Sequence, residues 1–303
     1  MIPSIIKRRE ATKEITVLRD GALVGSHPTA EMTKDMLITM MVARELVEVF
    51  PKRKKKPSQN VKLSLKNYTR SKEFRDISFE LYEGEILGLV GLMGAGRTEL
   101  VECLFGATKR ESGTLEINGK PVQIKTVSGA IKNGLALVTE DRKQTGLVLG
   151  MSIRDNLTLA NLPMVCTNRV FLNHKREAQQ AESYISSLKI KLASQTQLVQ
   201  YLSGGNQQKV VIGKWLMTKP DILILDEPTR GIDIGAKSEI YQLIADLADS
   251  GITVLMVSSE MEEILGLCDR MVVFHEGTLT GEMTRETATQ EKLMKLATGM
   301  QPN

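Results

Sequence analysis

The sequence lacks the features that mark metal-binding, secreted or membrane-spanning chains. Its three cysteines, Cys103, Cys166 and Cys268, are widely spaced among 303 residues and fit no metal-ligand pattern. Thiols in this arrangement indicate a reducing compartment, and the first residues do not form a signal-peptide pattern. The most apolar stretch, residues 86–93, contains glycines and falls far short of the roughly 20 residues that a membrane span needs. We therefore expect any membrane association to be peripheral.

A strong charge of either sign is also missing. Lys and Arg total 40 against 36 Asp and Glu, which gives a net charge of +4 and a pI near 8.8. This balance is too mild to indicate a nucleic-acid partner, and we expect none. With 42% hydrophobic and 25% charged residues, the composition is that of a globular protein and excludes wholesale disorder. The length allows one large domain or two ordinary ones.

The most informative stretch is residues 201–235, YLSGGNQQKVVIGKWLMTKPDILILDEPTRGIDIG. Ser203 is placed to cap a helix whose apolar residues recur at helical spacing. The later run Ile-Leu-Ile-Leu predicts a buried parallel strand that ends in Asp226 and Glu227. Parallel sheets bind ligands at the carboxyl ends of their strands, where these two acids stand. A magnesium ion on Asp226 and a water-activating base at Glu227 would explain them. An ordinary helix entry and a solvated acidic turn are the alternatives.

A second motif, GLMGAGRT at residues 91–98, follows a predicted strand and opens a helix. Its spacing matches the phosphate-binding loop G-x-x-x-x-G-K-[ST], except that Arg97 replaces lysine. Glycines let backbone amides approach phosphate at a helix N-terminus, and Thr98 can reach magnesium. Arginine keeps the charge but is a bulkier planar group, and Glu99 adds negative charge nearby. A Gly-rich turn without a ligand is the alternative. The candidate nucleotide-binding residues are Gly91, Gly94, Ala95, Gly96, Arg97, Thr98 and Glu99.

The combination of these motifs resembles the ATP-binding cassette family. Two segments are similar to the second, C-terminal half of the tandem ATPases of monosaccharide importers, of the galactose/methylgalactoside, ribose, xylose and arabinose type. They are Leu-Ser-Gly-Gly-Asn-Gln-Gln-Lys and Glu-Pro-Thr-Arg-Gly-Ile-Asp. The resemblance implies an α/β fold of the P-loop NTPase class, with an antiparallel β subdomain and an inserted α-helical subdomain. It implies ATP and Mg²⁺ as cofactors, Glu227 as the general base, and Thr98, Asp226 and Glu140 at the metal.

The resemblance also implies a site shared between two domains. In this family each ATP lies between the phosphate loop of one domain and the signature turn of another. The signature residues here are Leu202, Ser203, Gly204, Gly205, Asn206 and Gln207. We expect Gly205→Asp to leave the fold intact, because a helix start tolerates acidic residues.

Three positions depart from the hydrolytic pattern of the family. Arg97 replaces lysine, Glu140 stands where glutamine is usual, and Ser259 stands at the place of the switch histidine, while Asp233 keeps its place in the loop after Glu227. We therefore expect the isolated chain to be weakly active. A non-hydrolytic regulatory half and a soluble, non-transport ATPase of the same family are the alternatives.

The resemblance names partners as well. They are a complementary nucleotide-binding domain, an integral membrane permease and, indirectly, a periplasmic sugar-binding protein, which would place the chain at the cytoplasmic face of the inner membrane. In the family an aromatic residue stacks on adenine. Tyr68 and Phe74 are candidates, although a core role suits Phe74 equally well and Lys72 lies nearer the expected place.

An internal repeat indicates how the chain is organised. Residues near Gly21 recur near Gly277 at a constant offset of 256, in the predicted order strand, turn and helix. We interpret residues 1–50 as the tail of a preceding nucleotide-binding domain. A basic linker at residues 51–60 is expected to be solvated, although a localisation signal or lipid-binding patch is the alternative. The nucleotide-binding domain would then cover residues 61–300, with its helical subdomain at about residues 145–205.

Overall fold

The computed structural model describes residues 13–19, 22–33, 36, 40, 50–168 and 170–300. The strands are β1 Glu14–Arg19, β2 Ala22–Pro28, β3 Val61–Arg70, β4 Phe74–Tyr82, β5 Ile86–Gly91, β6 Ser112–Ile117, β7 Lys120–Val122, β8 Leu135–Val138, β9 Cys166–Thr167, β10 Phe171–Leu172, β11 Ile222–Asp226, β12 Thr253–Val257, β13 Arg270–His275 and β14 Thr278–Thr284. The α-helices are α1 Arg97–Leu104, α2 Val127–Lys132, α3 Ile153–Thr158, α4 Leu162–Val165, α5 His174–Ser187, α6 Gly204–Leu216, α7 Ile234–Asp249, α8 Met261–Leu267 and α9 Gln290–Ala297. A π-helix covers Arg142–Gly146, and 3₁₀ turns cover Leu159–Asn161 and Val199–Tyr201.

Six strands form the central sheet in the order β14-β13-β5-β12-β11-β8. Neighbouring strands are parallel except β14, which is antiparallel to β13. Every residue of β5, β8, β11 and β12 is buried, as continuous apolar runs require in a parallel sheet covered on both faces. The phosphate loop follows β5 and Asp226 ends β11, so both motifs reach the same edge of the sheet.

A second, antiparallel sheet has the order β4-β3-β6-β7 and shares a hydrophobic core with one face of the central sheet. Side chains alternate along β5: Leu87 and Leu89 point into this core, whereas Ile86 and Val90 point into the core formed with the helices. The predicted α/β fold with a separate antiparallel sheet is confirmed. Among the described residues, no helix combines the length and apolarity that crossing a bilayer requires.

The sequence pattern predicts amphipathic helices at residues 151–162 and 175–192, and the helices observed between β8 and α6 are shorter. The predicted helix at residues 151–162 is divided into α3, a 3₁₀ turn and α4, because Pro163 lies in the first turn of α4 and cannot donate a backbone hydrogen bond to a preceding turn. The predicted helix at residues 175–192 ends at Ser187. Lys189 follows with a φ of 51°, a left-handed conformation that ends helices.

The hairpin of β1 and β2 reproduces the hairpin of β13 and β14 at the offset of 256. Val17 pairs with Gly25 just as Val273 pairs with Gly281, and the register shifts directly after each valine. Two hairpins with the same pairing and the same irregularity are one structural unit used twice. The predicted turn at residues 20–21 lies outside the described residues.

The start of the helix after each hairpin is repeated too. The Thr33 hydroxyl oxygen accepts a hydrogen bond from the Met36 backbone amide at 3.1 Å, and the Thr289 hydroxyl oxygen accepts one from the Lys292 amide at 3.2 Å. In both places a threonine hydroxyl accepts from the amide three residues further on, which is the pattern of a helix N-cap. Most of the predicted helix at residues 32–46 lies outside the described residues.

The basic run before β3 is only partly solvated. Arg53 is 8% exposed at its side chain, donates to Asp249 Oδ1 at 2.9 Å and to Asp269 Oδ2 at 2.6 Å, and also donates to the Gly84 carbonyl. The expectation of a solvated run is therefore wrong for this residue, because two partly buried carboxylates provide partners for its planar guanidinium. The expectation fits the exposed residues Lys52, Lys54, Lys55 and Lys56.

Arg53→Met should lower the free energy of unfolding by about 3 kcal/mol, since it leaves Asp249 and Asp269 without their shared buried cation. Urea unfolding at pH 7 measures the loss. Lys54→Met is the matched control, because Lys54 pairs with Asp246 at 71% side-chain exposure and should cost less than about 1 kcal/mol. Equal losses for the two variants would show that the Arg53 contacts do not hold the segment.

Candidate functional site

The loop between β5 and α1 needs glycine at its two turning points. Gly94 and Gly96 have φ values of 78° and 97°, in the left-handed region. A Cβ on Gly96 would lie 2.6 Å from the Glu73 carbonyl oxygen, whereas a Cβ on Gly94 would meet nothing within 4 Å. The backbone at Gly94 therefore faces open space that a ligand can approach. Gly91 and Ala95 are buried on the inner side of the loop.

Arg97 lies buried beneath this loop at the start of α1. Its Nη1 donates to the Ser258 carbonyl at 2.7 Å, and its Nη2 lies 3.9 Å from Glu227 Oε1. Burial lowers the pKa of Arg97, against the opposing effect of the neighbouring carboxylates. The predicted nucleotide-binding residue is thus in contact with the candidate base. Glu99 is half-buried in the first turn of the same helix.

Asp226 carries the clearest sign of a ligand-binding position. Its side chain is buried, and its Oδ1 atom has no hydrogen-bond partner among the described residues. Burial raises the pKa of Asp226 to about 6, while the Thr98 side chain acts in the opposite direction. The described residues contain no group of three His, Cys, Asp or Glu side chains placed to hold a metal alone. Magnesium bound by one carboxylate, a hydroxyl and nucleotide phosphates fits this arrangement and would use the unpaired oxygen.

Glu227 follows directly in a strained conformation. Its φ of 48° is uncommon for a residue with a side chain and costs backbone energy. The Ser259 hydroxyl donates to Glu227 Oε2 at 3.1 Å, so the two positions that the sequence assigns to hydrolysis are in contact. Burial raises the pKa of Glu227, which favours a group that can accept a proton.

Glu263 was not identified from the sequence, yet it joins three parts of the site. Its buried carboxylate accepts hydrogen bonds from Thr229, from Tyr241 at 2.7 Å and from the Ser258 hydroxyl at 2.7 Å. Ser258 in turn presents the carbonyl that holds Arg97. The only sequence signal was an acid next to the apolar run Ile-Leu-Gly-Leu in α8.

Two predicted loop residues make contacts of their own. Glu140 forms an ion pair with Arg230, in the loop after Glu227, and its role at magnesium stays a prediction. Asp233 is the N-cap of α7, where its carboxylate accepts from the Ala236 amide at 2.9 Å. Both residues therefore fix loops at the edge of the sheet where Asp226 lies.

The signature turn begins α6 with Ser203 at the N-cap position. The predicted side-chain cap is wrong, because the Ser203 hydroxyl makes no hydrogen bond to the helix backbone. It accepts instead from Asn206 Nδ2 at 3.0 Å. The side-chain oxygen Oδ1 of Asn206 in turn accepts from the Lys191 backbone amide at 2.8 Å. Ser203 is exposed at the start of α6, where the first backbone amides of a helix have no partner within the helix.

Three other signature residues pack inward. Gly205 is buried, and a Cβ there would lie 2.6 Å from the Ala236 Cβ, so the expectation that Gly205→Asp leaves the fold intact is wrong. Leu202 is buried as well. The Gln207 side chain is buried and donates to the Val199 carbonyl at 3.3 Å.

Both candidates for stacking on adenine belong to the core. Tyr68 and Phe74 are each 1% exposed, with parallel rings whose centroids lie 6.1 Å apart. The core role for Phe74 is confirmed, and neither ring is accessible to a base. Lys72 is exposed between the two strands that carry these rings.

Comparison with known proteins relates this site to a family. A family model described as "ABC transporter" matches residues 74–230. A Geobacillus kaustophilus protein with the provisional name ribose/galactose/methyl galactoside import ATP-binding protein is 50% identical over 290 residues, covering 96% of this chain and 57% of that protein. The ribose import ATP-binding protein RbsA of Clostridium tetani is 48% identical over 283 residues, covering 93% and 56%. The chain thus spans about half the length of the curated relatives it matches.

Solved structures give the same fold at low identity. A nucleotide-free ATP-binding cassette from an ABC transporter superposes with a TM-score of 0.65 at 21% identity, covering 78% of this chain and 98% of that one. The cbiO1 protein of Clostridium perfringens, part of an ABC transporter complex, gives a TM-score of 0.66 at 21% identity, covering 78% and 93%.

Proposed function

Because this chain belongs to the ABC transporter family, we propose that it is the ATP-binding C-terminal half of a monosaccharide importer and couples ATP binding and hydrolysis to sugar uptake. The observation that carries the ATP-binding proposal is the buried Asp226 carboxylate with an unpaired oxygen, next to Thr98 and under an open glycine loop. The sugar class follows from the names of relatives at about 50% identity.

Nucleotide would bind to the backbone amides at Gly94 and to Arg97, with Thr98 and Asp226 at magnesium. When bound, the metal would neutralise phosphate charge. Glu227 would accept the proton of the attacking water, and Ser259 orients its carboxylate from 3.1 Å. Because a serine hydroxyl cannot take up a proton as histidine does, we expect turnover at this site to be slow.

The signature turn would serve a second ATP. Ser203 is exposed at the N-cap of α6, whereas the phosphate loop leads into α1. The two features would therefore serve different nucleotides, as a head-to-tail pair of domains requires. The complementary domain is supported by the repeated hairpin of β1 and β2, which we assign to the tail of a preceding domain, with residues 51–60 as the linker.

A permease is the proposed membrane partner, at the cytoplasmic face, with a periplasmic sugar-binding protein acting through it. Support comes from apolar side chains that the helical insertion leaves exposed around β10: Leu159, Leu162, Val170, Phe171 and Leu172. Exposed apolar groups of this kind favour burial against a partner protein.

Glu227→Gln should lower the residual ATPase rate of the chain by about 10²-fold, as expected for the loss of a positioned base. Steady-state phosphate release measures the rate, and binding of a fluorescent ATP analogue should stay unchanged. Glu116→Gln, on β6 and paired with Lys66, is the matched acid-to-amide control and should retain the rate. An unchanged rate in Glu227→Gln would favour the non-hydrolytic alternative, for which the contact of Arg97 with Ser258 and Glu227 gives specific support.

A further inference from the structure

The π-helix Arg142–Gly146 lies between the two ATP-related surfaces of the chain. It begins two residues after Glu140. Asp141 caps its start by accepting from the Lys143 and Gln144 amides at 2.9 and 3.0 Å. A π-helix is an uncommon element that is found mostly at functional positions. None of its side chains is needed for the chemistry derived above, so its contacts call for another explanation.

All three nitrogens of the Arg142 guanidinium donate hydrogen bonds to other segments of the chain. Nη1 donates to the Arg230 carbonyl at 2.8 Å and Nη2 to the Gly231 carbonyl at 3.1 Å, both in the loop that follows Glu227. Nε donates to Gln207 Oε1 at 3.4 Å, in the first turn of α6. A planar group with donors on two edges can hold both segments in one fixed geometry, whereas an ammonium presents its three donors from a single nitrogen.

Gly204 shows how closely the guanidinium approaches the signature turn. A Cβ on Gly204 would lie 2.9 Å from Arg142 Nη2 and 3.4 Å from the Gly231 carbonyl oxygen. The absence of a side chain at this position therefore makes room for the arginine. The signature glycine Gly204 thus has a close contact inside the chain.

The far end of the π-helix is attached to the same helix α6. The buried Lys214 ammonium donates to the Gly146 carbonyl, and a Cβ on Gly146 would lie 3.2 Å from Val211. Burial lowers the pKa of Lys214 to about 8. The π-helix is therefore fixed along α6 at both ends, and a displacement after Glu140 would move the first turn of α6.

We propose that Arg142 is a positioning residue that holds the signature turn against the loop after Glu227, so that the turn is placed for the second ATP. This inference rests on the proposed function, because it assumes a nucleotide shared with a complementary domain. The hydrogen bonds of the Arg142 side chain go to Gln207 and to the Arg230 and Gly231 carbonyls, not to Asp226 or Glu227. Arg142 therefore acts through these residues and through its close approach to Gly204.

The test uses the chain reconstituted with its complementary domain and permease, with kcat and KM measured for Mg·ATP. Arg142→Gln should lower kcat by about tenfold or more, the size expected for lost charge-assisted hydrogen bonds, with KM changed less than about threefold. Arg142→Lys should not rescue the rate, because one ammonium nitrogen cannot take the three positions from which Nη1, Nη2 and Nε donate. Binding of a fluorescent ATP analogue to the isolated chain should be unchanged in both variants.

A double-mutant cycle distinguishes positioning from general loosening. Gly204→Ala should lower kcat in the wild-type chain, because its Cβ crowds Nη2, but should add little in Arg142→Gln, where that atom is gone. Additive losses, or rescue by Arg142→Lys, would overturn the assignment. If the unmutated chain itself gives no ATP-driven pairing with the complementary domain, the proposed function fails and the assignment fails with it; if it pairs and the variants match it, only the role of Arg142 is refuted.

Discussion

Asp226→Asn should stabilise the chain in the absence of nucleotide and magnesium while removing its magnesium-dependent ATP binding. The carboxylate is 2% exposed, its Oδ1 is unpaired, and burial raises its pKa from 3.8 to about 6. Keeping this group ionised at pH 7 therefore costs up to about 3 kcal/mol, which the neutral amide avoids. Urea unfolding without magnesium should show the gain, and a fluorescent ATP analogue with and without magnesium should show the loss.

The pH dependence of this effect has a defined sign. Because the folded pKa of Asp226 lies above its unfolded value, the proton it binds adds stability that is fully present below 3.8 and is lost as the pH rises through about 6. The difference between variant and wild type should therefore be small at pH 4, grow up to about pH 6 and stay constant above it. Asp221→Asn is the control, since this exposed acid lies at the other end of β11 and pairs with Lys62. A difference that does not change between pH 4 and 7 would contradict the assignment of the cost to this charge.

Features that depend on one continuous segment could be predicted from the sequence. The strand ending at Asp226 follows from an apolar run. The phosphate loop follows from glycine spacing, because Gly96 combines a φ of 97° with a carbonyl oxygen 2.6 Å from the place of a Cβ. The repeat at an offset of 256 even predicted a second hairpin, whose register turned out to match. In each case the physical requirement acts on neighbouring residues.

Features that depend on contacts between distant segments could not be predicted in this way. Arg53 reads as one cation in a basic run, and its burial follows only from the positions of Asp249 and Asp269, about 200 residues away in the sequence. Glu263 and Arg142 read as ordinary charged residues. Their partners are brought together by the sheet and by α6, so no local pattern indicates them.

Contacts between distant segments also explain why some residues are placed differently from the sequence-based expectation. Tyr68 and Phe74 are candidates for the adenine contact by their place in the family pattern, but alternation in the antiparallel sheet turns both rings into the core, the role that suited Phe74 equally well. Gly205 was read as a turn residue open to a partner, whereas α7 packs directly on it through Ala236. In each case packing decided which side of the residue is accessible, and sequence position alone did not indicate it.

Ser203→Asp should abolish ATP-driven pairing of the chain with its complementary domain while leaving α6 intact. The residue is exposed at the N-cap of α6, and aspartate is a favoured N-cap, so the fold should be retained or slightly stabilised. A carboxylate at roughly 4 Å from a γ-phosphate charge costs about 4 kcal/mol at an effective dielectric of 20, which weakens pairing by roughly 10³-fold. The measurement is ATP-dependent association with the complementary domain, together with the ATPase rate after reconstitution with the permease.

Ser203→Asn is the matched control for this effect. Asparagine has nearly the shape of aspartate and caps a helix equally well, but it carries no charge, so pairing should fall far less than with aspartate. Binding of a fluorescent ATP analogue to each isolated variant should equal that of the wild type, because the phosphate loop on α1 would hold a different nucleotide. If both variants lose pairing equally, the hydroxyl itself is required rather than the absence of negative charge. If Ser203→Asp supports wild-type turnover in the reconstituted complex, the turn at residues 203–206 does not bind a second ATP and serves only to start α6.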